Sequence, residues 1–209
     1  MKISYTKGRE NKIHISVDGE YKYTVDAEYW FLTPYYRMTE ITDSDECEKF
    51  RSEIGSRYAF VSGLRILSYG DNSRRDLYLK LLRKGHGAEC INSALDTMEE
   101  CGYINDRRFA AAVADRLIRT KHMSKAGIRS ELFRRGISSD IIEETLEETE
   151  LDPVSEIVSL VNKKYLRYID DEKGIQKITA ALRRLGYSWS EIKSGLNEVL
   201  TETEAEFDD

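Results

Sequence analysis

The chain opens with side chains that alternate at a period of two, then changes to a period near four for the rest of its length. Lys12-Ile-His-Ile-Ser-Val17 and Glu20-Tyr-Lys-Tyr-Thr-Val25 each place apolar residues on every second position, the pattern of a half-buried strand. Asp18-Gly19 between them tolerates the positive φ angles of a tight turn, which predicts a hairpin. Ile3 and Tyr5 supply a further strand, and five of the thirteen tyrosines fall between Tyr21 and Tyr36, as suits strands. A small antiparallel sheet is therefore predicted over 1–42. From Asp43 onward the apolar spacing is helical, and of the chain's two prolines, Pro34 and Pro153, only the second lies in that stretch.

Within the helical part the chain repeats itself. Gly85, Gly136 and Gly186 lie 51 and then 50 residues apart. Leu77, Ile128 and Ile178 stand eight residues before these glycines, and Leu81, Leu132 and Leu182 stand four before. Ile91, Ile142 and Ile192 come six after, and Leu95, Leu146 and Leu196 ten after. Offsets of four put each pair on one helical face. The pattern predicts a helix that ends on glycine at C′, where a left-handed conformation is cheap, followed at once by another helix. Gly87, Ser138 and Ser188 are the predicted N-caps, with Glu191 completing a capping box. A further helix precedes each glycine arm: 56–69 in the first copy, 107–119 capped by Asp106 in the second, and 153–168 opened by Asp152-Pro153 in the third. Three tandem three-helix units result, each too small to bury its apolar face alone, so stacking into an elongated crescent is expected. The predicted boundaries are 1–42 for the β segment, 43–105 for the first repeat with its lead-in helix, 106–151 for the second and 152–200 for the third. An acidic tail, 201–209, is expected to be disordered.

Composition narrows the class. Of the 209 residues, 40% are hydrophobic and 33% charged, the balance of helices with one wet face. No run of about 18 apolar residues occurs, so no membrane span is expected. The first residues lack a signal-peptide pattern, and Cys47, Cys90 and Cys101 are odd in number with no CxxC spacing. A reduced, cytoplasmic setting follows.

The net charge of −6 is unevenly spread. Residues 61–137 carry 15 bases against 9 acids, whereas 138–152 carry seven acids and no base, and the last nine residues carry five acids. An acidic protein with a basic middle can meet a polyanion through one face while avoiding indiscriminate coating of DNA.

Catalytic chemistry is not visible. His14, His86 and His122 lack metal-ligand spacing, and no metal or cofactor is expected. His86 and His122 fall in predicted turns and are expected to be solvated. Nucleophile elbow, Walker A and GxGxxG patterns are absent. Glu143, Glu144, Glu147, Glu148 and Glu150 have the spacing of a solvated helix face. Cys90 and Cys101 fit an amphipathic helix as small buried residues.

Basic residues cluster at the helix ends. The candidates for polyanion contact are Arg74, Arg75, Arg83, Lys84, Arg119, Lys121, Lys125, Arg129, Arg134, Arg135, Lys163, Lys164, Arg167, Arg183 and Arg184. The pairs before the repeat glycines, Arg83-Lys84, Arg134-Arg135 and Arg183-Arg184, match the negative end of a helix dipole. Their recurrence at the same place in every repeat also suits a periodic partner. Gly85, Gly136 and Gly186 are structural.

Gly102-Tyr-Ile-Asn-Asp-Arg-Arg-Phe-Ala110 resembles the signature between the first and second repeats of the RecX family, regulators of the RecA recombinase, and Ile128-Arg-Ser-Glu-Leu-Phe-Arg-Arg-Gly-Ile137 resembles that family's next helix–glycine step. Ser73–Leu77 with Leu81–Gly85 is similar to that family's first repeat, and Leu182–Gly186 to its third. Arg107 departs from the pattern, since an acidic residue is common there. The resemblance spans about 60–200. It implies a non-catalytic protein that binds RecA and the RecA–single-stranded DNA filament and restrains ATP hydrolysis, filament growth and strand exchange, in recombination and the SOS response. It also implies a monomer with weak direct DNA binding at most. An autonomous helical DNA-binding protein, such as a transcription regulator, is the second reading. Affinity for naked DNA against RecA-coated DNA separates the two.

Overall fold

The computed structural model describes residues 1–169 and 171–207, with side chains as far as Thr201. It falls into two compact units that divide between Asn105 and Asp106.

The first unit begins with three antiparallel strands in sequential order, β1 (Ile3–Lys7), β2 (Lys12–Val17) and β3 (Glu20–Asp26). Asp18 and Gly19 turn the hairpin with φ of 50° and 85°, the positive pair that keeps the twist of the flanking strands. β2 alternates strictly: Ile13, Ile15 and Val17 face inward. The outer edge of β1 is also paired. Ile3 N–H donates to the Thr39 carbonyl and Ile41 N–H to the Met1 carbonyl, both at 2.8 Å, so the start of this edge is covered by the chain itself.

The 1–42 segment is not sheet throughout. Asp26 caps a short helix, α1 (Ala27–Leu32), by accepting from Tyr29 N–H at 3.0 Å, and Pro34–Arg37 form a 3-10 turn. α1 sends Trp30 into the sheet's core, where it is fully buried with Phe50 and Ile54. Phe50 and Ile54 come from α2 (Ser44–Leu67), capped by Asp43. This helix begins well before the predicted 56–69 because it serves two cores. Its first half covers the sheet, and Ala59 and Phe60 pack against α3 (Arg74–Arg83) and α4 (Ala88–Glu100).

The second unit holds two further three-helix repeats. α5 (Asp106–Lys121), α6 (Lys125–Arg134) and α7 (Ser139–Glu147) form one. α8 (Pro153–Lys164), α9 (Glu172–Arg184) and α10 (Trp189–Phe207) form the other. Asp106 is the first residue of α5 and not the residue before it. α8 stops at Lys164, short of the predicted 168, and a 3-10 turn over Leu166–Tyr168 follows. α10 continues past residue 200 through the first part of the segment expected to be a disordered tail; 208 and 209 lie outside the described residues.

All twelve aligned apolar positions are buried, from Leu77 and Leu81 at 0% exposure to Leu196 at 8%. At about 25 cal/mol per Å² of apolar surface, side chains of this size contribute roughly 1.5–3 kcal/mol each. The three glycines have φ of 86°, 78° and 95°. Each closes a Schellman turn. In the first, Gly85 N–H donates to Leu82 O and His86 N–H to Leu81 O. The second and third repeat this with Gly136–Phe133 and Ile137–Leu132, then Gly186–Arg183 and Tyr187–Leu182. Gly102 makes a fourth such turn, with φ of 73°. Past it, Ile104 is buried in the first repeat's core while Phe109 and Ala110 are buried in the second's. The stretch 102–110 thus ends one core and starts the next.

Candidate polyanion-binding surface

The Schellman turns fix where the basic residues stand. Each turn buries its C3 and C″ residues, Leu81 with His86, Leu132 with Ile137 and Leu182 with Tyr187, and between them stand Arg83-Lys84, Arg134-Arg135 and Arg183-Arg184. Cations there also face unpaired carbonyls at the negative end of the helix.

Several of the candidates are engaged within the protein. Arg74 bridges α3 to α4 through Asp96 (2.6 Å) and Glu99 (2.5 Å). Arg119 pairs with Asp115 one turn back, at 2.6 Å. Arg129 grips Glu143 of α7 with two parallel hydrogen bonds, at 3.0 and 2.6 Å, and these hold the Glu143 carboxyl below its ordinary value. Lys125 donates to the Leu146 carbonyl at 2.8 Å, in the last turn of α7. Arg107 of α5 pairs with Glu144 of α7. Glu143, Glu144, Glu147, Glu148 and Glu150 are exposed as expected, and two of them are tied to neighbouring helices.

Arg134 and Arg135 share Glu131, at 2.7 and 2.8 Å. Burial alone would push Glu131 up, but hydrogen bonds from both guanidinium groups outweigh it and hold the carboxyl low. Arg135 also lies over the Phe109 ring, 5.9 Å from its centre. It is therefore mostly a packing residue, whereas Arg134 projects outward.

The structure brings four candidates together where the second and third repeats meet. Ser124 N–H donates to the Leu185 carbonyl at 3.1 Å, and Ser124 Oγ also caps α6 by accepting from Gly127 N–H at 3.2 Å. The Tyr187 hydroxyl reaches across to donate to the His122 carbonyl at 2.9 Å. Burial, then the charges of Glu156 and Glu191, push that phenol well above its ordinary value, so it stays a donor. His122 meets Glu156 at 2.9 Å. Gly127 and Gly186 touch backbone to backbone: a Cβ on Gly186 would lie 2.5 Å from Gly127 N and 2.7 Å from its Cα. The C-terminus of α9 thus abuts the N-terminus of α6, dipoles head to tail. One cleft of about 380 Å³ at this seam is lined by Arg134, Arg183 and Arg184 with Glu131, and a second of about 480 Å³ by Lys125 and Arg183 with Glu191.

The remaining candidates lie apart. Lys163 and Lys164 are exposed at the far end of α8 from Pro153, which lines the seam, roughly 15 Å away at 1.5 Å per residue. Arg167 stacks on Tyr168 at 4.7 Å. Arg75, Arg83 and Lys121 are exposed, and Lys84 borders a cleft between the sheet and α2.

Some sequence expectations are corrected. His86 is 7% exposed and packs on Tyr58, and His122 is mostly covered and hydrogen-bonded, so neither is a solvated turn residue. Cys101 is exposed as the residue capping α4, because the helix ends before it can turn inward. Among the described residues no group of three or more His, Cys, Asp or Glu side chains could hold a metal ion, and no helix is long and apolar enough to cross a membrane. Ser124, Gly127, Glu156 and Tyr187 were not anticipated as seam residues. Gly127 inside a helix was the available signal, since such a glycine usually marks a close backbone approach.

A family profile described as RecX, second three-helix domain, matches residues 105–146, that is, α5 to α7. The regulatory protein RecX of Pelodictyon phaeoclathratiforme is 30% identical over 140 residues, covering 66% of this chain and 86% of that protein. The chain belongs to the RecX family. The regulatory protein RecX of Caldanaerobacter subterraneus subsp. tengcongensis is 29% identical over 189 residues, 90% of this chain and 94% of that one. A crystal structure of regulatory protein RecX shares the fold with a TM-score of 0.66 at 21% identity, over 94% of this chain and 98% of that one. The RecX structure from Lactobacillus salivarius does so with a TM-score of 0.60 at 23% identity, over 69% and 96%.

Proposed function

We propose that this protein is a regulator that binds RecA and the RecA–single-stranded DNA filament, and that it restrains ATP hydrolysis, filament growth and strand exchange. Family membership supports the reading, and the observation that carries it to particular residues is the seam. There Arg134, Arg183, Arg184 and Lys125 converge on two adjoining clefts and outnumber the lining carboxylates of Glu131 and Glu191, a net positive surface suited to acidic protein or DNA phosphate. Lys163, Lys164 and Arg167 extend the contact from the far end of α8. The exposed acids of α7 oppose non-specific adsorption to bare DNA. The protein acts as a monomer in the cytoplasm, by occupancy and without chemistry of its own.

The test is RecA's ATPase on single-stranded DNA. Sub-stoichiometric amounts of this protein should slow turnover and shorten filaments. Unchanged turnover and filament length at several-fold excess would refute the reading. Tight, sequence-specific duplex binding without RecA would favour a transcription regulator instead.

A further inference from the structure

The first unit contains a second cationic cleft that no repeat alignment reveals. It is about 750 Å³ in volume, between the hairpin, α2 and the end of α3. Four cations border it: Lys12 of β2, Arg65 of α2, Lys80 of α3 and Lys84 in the turn that follows. No acidic side chain does. Lys12 shares a 3.4 Å ion pair with Glu10. Among the described residues Arg65 and Lys84 have no carboxylate partner, and Lys80 donates only to the neutral Asn72 side chain. In a protein with six more acids than bases, a cleft without a carboxylate is a local reversal of the field.

The walls are aromatic. Tyr69, 82% exposed, and Tyr21, 55% exposed, present large rings to solvent beside the cations. Deeper in, the Tyr58 and His86 rings lie 4.6 Å apart. Hydrogen bonds hold this wall in place: His14 with Thr24 at 2.7 Å, Tyr21 with Thr24 at 3.0 Å, and the Tyr21 hydroxyl to that of Tyr58 at 3.4 Å. Burial, and then the bond from Tyr21, push the Tyr58 phenol up to about 12, so it stays neutral.

We infer that this cleft binds nucleotide units, with phosphate on Lys80, Lys84 and Arg65 and bases against the tyrosine rings. Interleaved cations and aromatic faces are what an unpaired strand requires, and the volume is that of a site for one or two nucleotides. An acidic peptide would use the cations but leave the rings idle. The proposal concerns the first unit alone and stands whether or not the protein acts on RecA.

The experiment uses the full chain and fluorescein-labelled oligothymidylate, followed by fluorescence anisotropy across a salt series. Lys80→Gln with Lys84→Gln should weaken binding about tenfold at low salt. The slope of log affinity against log salt should fall by about 1.4, at roughly 0.7 for each lost phosphate contact. Tyr69→Ala, at an exposed site where folding is not at risk, should weaken binding about fivefold or more through lost stacking. Lys7→Gln with Arg9→Gln, outside the cleft, should change neither. Oligonucleotide carrying 5-iododeoxyuridine should photo-cross-link to Tyr21, Tyr58 or Tyr69. Displacement of the oligomer by ATP with the same dependence on Lys80 and Lys84 would assign a free nucleotide as the ligand; failure of ATP to displace it assigns a strand. Unaltered affinity and slope in both cleft variants, cross-links confined to 106–209, or equal competition by a polyglutamate peptide would each overturn the proposal.

Discussion

Replacing Gly186 by alanine, with Gly85→Ala as its reference, separates what a glycine does for its own helix end from what it does between repeats. Both residues close the same Schellman turn with nearly the same backbone, φ of 95° and 86°. Holding alanine in that left-handed region costs about 1–2 kcal/mol, and around Gly85 nothing lies within 4 Å of an added Cβ. Gly85→Ala should therefore cost about 1–2 kcal/mol in the transition of its own unit. At Gly186 the new methyl group would press on Gly127 N and Cα and on Ser124 Oγ, at 2.5–2.7 Å. These are atoms of a helix start that cannot swing aside, and overpacking of this kind adds roughly 1–3 kcal/mol. The expected total is about 2–5 kcal/mol. Chemical denaturation with far-UV circular dichroism measures both, and the second unit's transition should lose the larger amount. An equal loss in the two variants would refute the claim that Gly186 sets the packing between the second and third repeats.

Further outcomes follow from named contacts. Leu132→Ala, at a fully buried repeat position, should destabilise the second unit by about 2–5 kcal/mol in the same denaturation assay. Ser188→Ala removes the acceptor of Glu191 N–H, bonded at 3.3 Å, and should cost about 1 kcal/mol at the start of α10. Glu131 has a depressed pKa in the fold, so its contribution is present above its ordinary value of 4.5 and lost as pH falls through the lower folded value. Glu131→Gln should thus be destabilising at pH 7, and urea titrations should show the deficit fading below pH 4.5. Arg183→Glu with Arg184→Glu should weaken filament binding, read as RecA ATPase inhibition, without altering the melt. Lys163→Glu with Lys164→Glu should act in the same direction. Arg135→Glu should lower stability as well, because Arg135 packs on Phe109 and holds Glu131.

The repeats are legible in the amino-acid pattern alone. Leu77, Ile128 and Ile178 and their partners recur at helical spacing because only a buried stripe holds each small unit together. Gly85, Gly136 and Gly186 recur because a helix that stops abruptly needs a residue at ease with positive φ. The hairpin over Asp18-Gly19 was legible for the same reason, since its local conformation and its pattern agree. Which cations are available depends on partners that folding brings beside them. Arg74 is held by Asp96 and Glu99, Arg129 by Glu143 and Arg135 by Glu131. These partners come from another helix in two cases and from the preceding turn in the third, and charge along the chain does not rank such pairings. The long α2 was misjudged because its two halves bury against different cores, which blurs a single apolar stripe. The clefts were invisible for a related reason. Arg134 meets Arg183 and Arg184, and Lys80 meets Tyr21, only because Gly127 lets two backbones touch and a hairpin folds over α2. Local periodicity reports which face of an element is buried, and it carries no information on which other element covers it.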